Sequence, residues 1–455
     1  MRMYFFSVIV SAGLASALAA CGGSGASDAA STPPDAGSAS PDSGETTTPP
    51  VRDAGTTVPP VDNGGPSTTY PAFKPDVPQL QNQGGDTLKA AHIVTVTWAG
   101  DSNADYYEKF GDGLGDTDYW AAVTAEYGVG AAKSAAADHV RMQTPLAATI
   151  NTAQLDAFVA TNATGGAGAD PSKWPAATKD TVYILYLPTT SALTVEGQGE
   201  ACSIGVGGYH AATETGKIAY AIVPQCTQTG AQLKDYTTFS ASHELAEAAL
   251  DTRPDPNGSG FGWYGVDDAH SSWAIYMNNQ VENGDLCEVY QDSIFQSTGD
   301  RSGTFNYFVQ RQWSNKSILA GHSPCVPAAG VYFNTTLIKP EAITVDLSKA
   351  PYYGSARTAA TGVQIAVGQT KTFEVGFYSD AKTTPWTLST TETDAFGTAA
   401  KNLTVTLDKT SGQNGEKANV TVTVNKLGPN KAELLVLKSK QGQASRVMPI
   451  LIGSP

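Results

Sequence analysis

Residues 181–187 read Thr-Val-Tyr-Ile-Leu-Tyr-Leu, apolar almost without interruption and stopped by Pro188. A strand with one wet face alternates polar and apolar side chains, whereas an unbroken apolar run suits a strand buried on both faces. That places 181–187 at the centre of a covered sheet. Residues 92–98 form a second strand candidate and residues 218–224 a third. Helix-like stretches fall at 105–110, 118–127, 152–161 (with Thr152 as N-cap) and 232–250. Strands alternating with helices define an α/β or α+β unit.

The pattern changes after residue 327. Segments 363–367, 371–378, 403–407, 418–424 and 432–437 are short and alternating, separated by Gly, Asn and Ser turns. About seven strands without a helix or a cysteine lead us to expect an all-β, immunoglobulin-like sandwich over residues 331–455. The α/β unit is expected over 70–330.

The first residues belong to neither unit. Arg2 precedes a stretch of apolar and small residues to Ala20, the pattern of an export signal. It ends Leu18-Ala19-Ala20-Cys21-Gly22, which resembles a bacterial lipobox. The resemblance implies cleavage before Cys21 and a diacylglycerol on its thiol, so membrane attachment through lipid. Gly22 in place of Asp favours the outer membrane or cell surface. Residues 21–69 are mostly Gly, Ser, Ala, Asp, Thr and Pro, and read as a disordered tether. A net charge of −15 argues against nucleic acid as a partner. Of five cysteines, Cys21 is taken by lipid. The other four can pair in three ways in an oxidising compartment. Cys202–Cys226 and Cys287–Cys325 are favoured because each closes a local loop.

Chemistry concentrates in Ser242-His243-Glu244-Leu245-Ala246-Glu247-Ala248-Ala249. On a helix, His243 and Glu247 share a face and can hold one metal. Glu244 lies about 100° away and can reach a water held there. This is H-E-x-x-H geometry with Glu as the second ligand. The helix's inward face reads Tyr236, Phe239, Ser240, His243, Glu247, Leu250. A carboxylate beside that apolar side needs a partner or a metal.

These residues, with Trp263, Glu282-Asn283-Gly284-Asp285-Leu286-Cys287 and Gln310-Arg311-Gln312-Trp313-Ser314-Asn315, resemble secreted bacterial zincin-like proteins. Those proteins carry S-H-E-x-A-E-A-x-x-D-P, then Trp, E-x-G-D-x-C and Q-x-x-W-S-N. The resemblance runs from about residue 90 to 325. It implies a zinc-metallopeptidase-like fold with the H-E helix packed beneath a sheet. One departure is Leu250-Asp251-Thr252-Arg253-Pro254, which inserts two residues into the D-P turn. A third ligand is expected downstream, with Glu282 and Asp285 leading and His210 and His270 as other candidates. Asp285 has a rival role capping the Gly284 turn. One histidine with two carboxylates blunts the Lewis acidity of zinc and suits harder ions. Calcium is a separate candidate, although Asp112, Asp116 and Asp118 lack EF-hand spacing and read better as a solvated loop. Trp263, Tyr264, Trp273 and Tyr276 are expected to pack rather than line a cleft.

The combined expectation is a lipid-anchored metallopeptidase acting on a peptide or protein. Glu244 serves as general base, and His243, Glu247, Glu282 and Asp285 supply the metal ligands. The alternative is a non-catalytic adhesion or binding protein on the same scaffold.

Overall fold

Every residue of Thr181–Leu187 is buried in the computed structural model, which describes residues 65–215, 217–253, 260–299, 303–346, 359–394, 397–428 and 430–454. The export signal, Cys21, most of the tether and the Pro254 turn lie outside the described residues. The described residues begin at Gly65, and Asn414 already binds this start: the Ser67 amide donates to the Asn414 carbonyl at 2.8 Å.

The protein is a mixed α/β chain with several sheets. Five strands make the central sheet: β1 (His92–Trp98), β2 (His139–Met142), β3 (Thr181–Leu187), β4 (Tyr209–Ala212) and β5 (Ala219–Pro224). Their spatial order is β2-β1-β3-β5-β4. All neighbours run parallel except β4, which pairs antiparallel with β5, His210 opposite Ala221. Alternate residues of β3 feed different cores. Val182, Ile184 and Tyr186 join one, while Tyr183, Leu185 and Leu187 join the other. Helices α1 (Ala104–Leu114), α2 (Asp118–Thr124) and α4 (Leu233–Leu250) pack into the first core, and α3 (Thr152–Thr164) into the second. That is why β3 shows no alternation: both of its faces are covered. Each fully buried Val, Ile or Leu there contributes about 1.5–3 kcal/mol.

Two sequence expectations need correction. The N-cap of α3 is Asn151, not Thr152. The Asn151 side chain accepts from the Gln154 amide at 2.8 Å, and Gln154 Oε1 accepts from the Asn151 amide at 2.9 Å. This reciprocal pair satisfies two otherwise orphaned donors. Nor do residues 111–118 form one acidic loop. Helix α1 runs through Asp112 to Leu114, Asp112 meets His139 Nε2 at 2.9 Å, and Asp118 opens α2 behind the Thr117 cap.

The C-terminal part is built only of strands among the described residues, in a four-stranded and a six-stranded sheet rather than about seven strands in all. The extra strands are short, such as Ser411–Gly412, or weakly patterned, such as Glu341–Thr344. One apolar core joins the sheets, with Phe377, Val420 and Val422 facing Trp386, Leu435 and Ile450. The described residues form one compact unit. Val436 and Val447 extend into the core beneath α4, and Arg446 makes a two-point ion pair with Asp292 at 2.7 and 2.6 Å.

Both expected disulfides are present, Cys202–Cys226 and Cys287–Cys325. They fit an oxidising compartment. Among the described residues, no helix is long and apolar enough to cross a membrane. The Cys287–Cys325 bond spans 38 residues, for which loop-closure entropy gives about 4 kcal/mol. Replacing both cysteines with serine is expected to lower unfolding free energy by that order, read from urea denaturation.

His270 joins two segments, its Nδ1 at 2.8 Å from Asp267 and its Nε2 at 3.3 Å from Asp76. Burial opposes its charge, but Asp267 and Asp76 outweigh burial and raise its pKa to about 9. A histidine raised in the folded state stabilises fully below its unfolded pKa of about 6.5, and the contribution fades as pH rises through about 9. His270→Ala is therefore expected to cost roughly 2–3 kcal/mol near pH 6 and much less near pH 10. Denaturation midpoints of both proteins across that range check this.

Candidate metal centre

Helix α4 is buried from Tyr236 to Leu250 on every side, not along one inward face. It packs beneath β5, β4 and β3, and strand Asn306–Gln310 covers another side. Ala241, Ala246, Ala248 and Ala249 let these neighbours approach closely. Within this helix, the i,i+4 spacing brings His243 Nε2 to 3.0 Å from Glu247 Oε2.

Three further side chains converge on that pair. His210 enters from the edge strand β4, its Nδ1 3.4 Å from Glu244 Oε2 and 3.7 Å from Glu247 Oε2. Glu282 lies 3.6 Å from His210 Nε2. Asp285 Oδ1 lies 3.7 Å from His243 Nε2. Among the described residues, two groups bring three ligand atoms within 4.8 Å of one another: His210, Glu247, Glu282 and His243, Glu247, Asp285. All five side chains, and that of Glu244, are at most 1% exposed. Both candidates for the third ligand are therefore at the site, and His210 joins them. His270 does not belong to either group.

Asp285 has the turn role foreseen for it and also stands beside His243. Its Oδ2 accepts from the Glu282 amide at 3.1 Å and closes the turn, while Oδ1 faces His243. Glu247 also divides its oxygens: Oε1 accepts from the Gly284 and Asp285 amides at 3.0 and 3.2 Å, leaving Oε2 toward the histidines. Gly284 permits this closeness, because a Cβ there would stand 2.6 Å from His243 Nδ1 and 2.7 Å from Glu247 Oε1. Gly208 does the same for Glu244, where a Cβ would meet Oε1 at 2.7 Å.

Gln310 fixes the proton on His243. Its Nε2 donates to the Gly284 carbonyl at 2.7 Å, so its Oε1 is the atom 2.6 Å from His243 Nδ1. Nδ1 must then donate, and Nε2 turns into the carboxylate cluster. This is how a neighbouring hydrogen bond orients a metal-binding imidazole. Gln310 itself is held by its amide donating to Ser242 Oγ at 2.9 Å. Its place in the Q-x-x-W-S-N motif was visible in the sequence, but its role was not. The same holds for Gly284 in E-x-G-D-x-C, whereas Gly208 lies in none of the motifs.

The electrostatics call for a cation. Glu244, Glu247, Glu282 and Asp285 are buried together, and among the described residues no Lys or Arg is ion-paired to them. Both Glu244 oxygens, both Glu282 oxygens, Glu247 Oε2 and Asp285 Oδ1 lack a hydrogen-bond donor. Burial holds the Glu244 and Glu282 carboxyls well above the usual range and pushes Asp285 to about 8 and neighbouring Asp251 to about 7. The two imidazoles diverge. Burial lowers His210 to about 4, whereas for His243 the Glu247 carboxylate outweighs burial and raises it. Isolated buried charge costs several kcal/mol unless paired, and a divalent ion held by these donors would supply the pairing.

The aromatic residues downstream of α4 do pack rather than line a cleft. Trp273 is buried against Trp313, and Tyr264 stacks on Phe261. Comparison with family models, with curated proteins and with solved structures returns no match to the chain.

Proposed function

We propose that this chain is an exported zinc-dependent peptidase, anchored through a lipid on Cys21, with its catalytic centre between α4, β4 and the 282–285 turn. The observation carrying this reading is the convergence of two imidazoles and three carboxylates from separate segments, with both Glu282 oxygens, Glu247 Oε2 and Asp285 Oδ1 lacking a hydrogen-bond donor. His210 changes the ligand balance in favour of zinc. Imidazole nitrogen suits zinc, whereas calcium takes oxygen ligands. When bound, zinc supplies Lewis acidity that polarises a peptide carbonyl and activates water. His243 and Glu247 hold the ion, with Gln310 fixing the His243 tautomer. His210, Glu282 and Asp285 complete the donor set. Glu244 stands beside them with neither oxygen committed, so it is the group able to take a proton from water and return it to the leaving amine. The helix beneath a sheet agrees with a zincin-like fold, and the paired C-terminal sheets agree with an immunoglobulin-like module.

A second reading is favoured by the same residues being at most 1% exposed. Closed zinc sites are structural, and open ones catalytic. On that reading the centre holds together a non-catalytic surface adhesion protein. The test is metal content after purification without added zinc, together with casein cleavage before and after chelation. Bound metal with chelator-sensitive cleavage supports the peptidase. Bound metal without cleavage supports the structural role. A metal-free protein removes both.

A further inference from the structure

We infer that the centre holds two divalent cations bridged by Glu247; the proposal rests on the metal-binding reading above and extends it. The two donor groups overlap in one residue only. His210 and Glu282 form one group with Glu247, and His243 and Asp285 form the other. Each imidazole faces a carboxylate of its own, His210 Nε2 with Glu282 at 3.6 Å and His243 Nε2 with Asp285 at 3.7 Å. The imidazoles also arrive from different elements, the edge strand β4 and the helix α4. Each could therefore serve a separate ion without competing for one coordination sphere.

Glu247 is built for sharing. Its Oε1 is pinned by the Gly284 and Asp285 amides, which fixes the carboxylate plane. Its Oε2 lies 3.0 Å from His243 Nε2, and the same residue belongs to the His210–Glu282 group. Paired metal ions in hydrolytic sites stand about 3.5–4 Å apart, close enough for a shared oxygen ligand.

Charge points the same way. With Glu244, Glu247, Glu282 and Asp285 all ionised, one divalent ion leaves an excess of two negative charges in a buried site. A second ion balances them. Uncompensated buried charge is what such an interior least tolerates.

The intact folded chain, stripped of metal and dialysed against excess zinc, is expected to bind two zinc ions per chain by elemental analysis. Asp285→Asn is expected to reduce this to one while leaving the far-ultraviolet circular dichroism unchanged. Manganese loading gives a second reading: a bridged pair yields a spin-coupled resonance spectrum, and isolated ions yield the six-line spectrum. One zinc per wild-type chain with the six-line manganese spectrum overturns the two-ion proposal and leaves the metal centre standing. No bound metal overturns both. Two zinc ions retained by Asp285→Asn overturn the assignment of Asp285 to the second ion.

Discussion

Stripping divalent metal from the protein near pH 8 is expected to lower its melting temperature by roughly 5–10 °C, and added zinc to restore it. The magnitude follows from mass action: a ligand at about a thousand times its dissociation constant stabilises by roughly 4 kcal/mol. A chain of this length gains about 2 °C per kcal/mol. The metal-free protein also carries a pH dependence of definite sign. Burial raises the Asp285 carboxyl to about 8 and Asp251 to about 7, with Glu244 and Glu282 well above their usual range. Above pH 4 the folded state thus keeps protons that the unfolded chain has released. The contribution of these carboxyls to metal-free stability is greatest below about pH 4 and declines as pH rises toward about 8. Metal competes with those protons, so the gain from zinc should be small near pH 5 and large near pH 8. Scanning calorimetry with and without chelator at both values reads this directly. A melting temperature indifferent to chelator at pH 8 would eliminate the metal centre.

The parts of this arrangement legible in the sequence were the local ones. Residues 181–187 announced a covered strand because burial on both faces removes polar alternation. The helix of 232–250 was readable within a residue, and the i,i+4 rule placed His243 beside Glu247. The cysteine pairs followed from loop length. What escaped was long-range. Nothing in Gly207-Gly208-Tyr209-His210 indicates that β4 folds back antiparallel at the sheet edge and delivers His210 to α4. Gln310 acts on a histidine 67 residues away, and no periodicity encodes that. The helix was read as having one inward face because a surface helix does. Here the strand Asn306–Gln310 covers a second side, which the alanine-rich composition of α4 accommodates.

Glu244→Gln is expected to keep the metal, lose casein hydrolysis by roughly 10²–10⁴-fold, and unfold no more easily than the parent. The three outcomes follow from one change. Glutamine preserves the volume that Gly208 makes room for, so the close approach to β4 survives. It removes a proton acceptor from the only carboxylate of the cluster outside both three-ligand groups, which is why metal should stay while chemistry stops. It also removes one buried negative charge from a site without a Lys or Arg partner among the described residues. Such relief is neutral or stabilising. Stability and activity should therefore move apart, and that divergence separates loss of a base from damage to the fold. Glu247→Gln provides the contrast, since weakening the residue shared by both donor groups should lower metal content and melting temperature together. If Glu244→Gln cleaves casein at the parent rate with metal intact, another group must take the proton, and the role assigned to Glu244 falls.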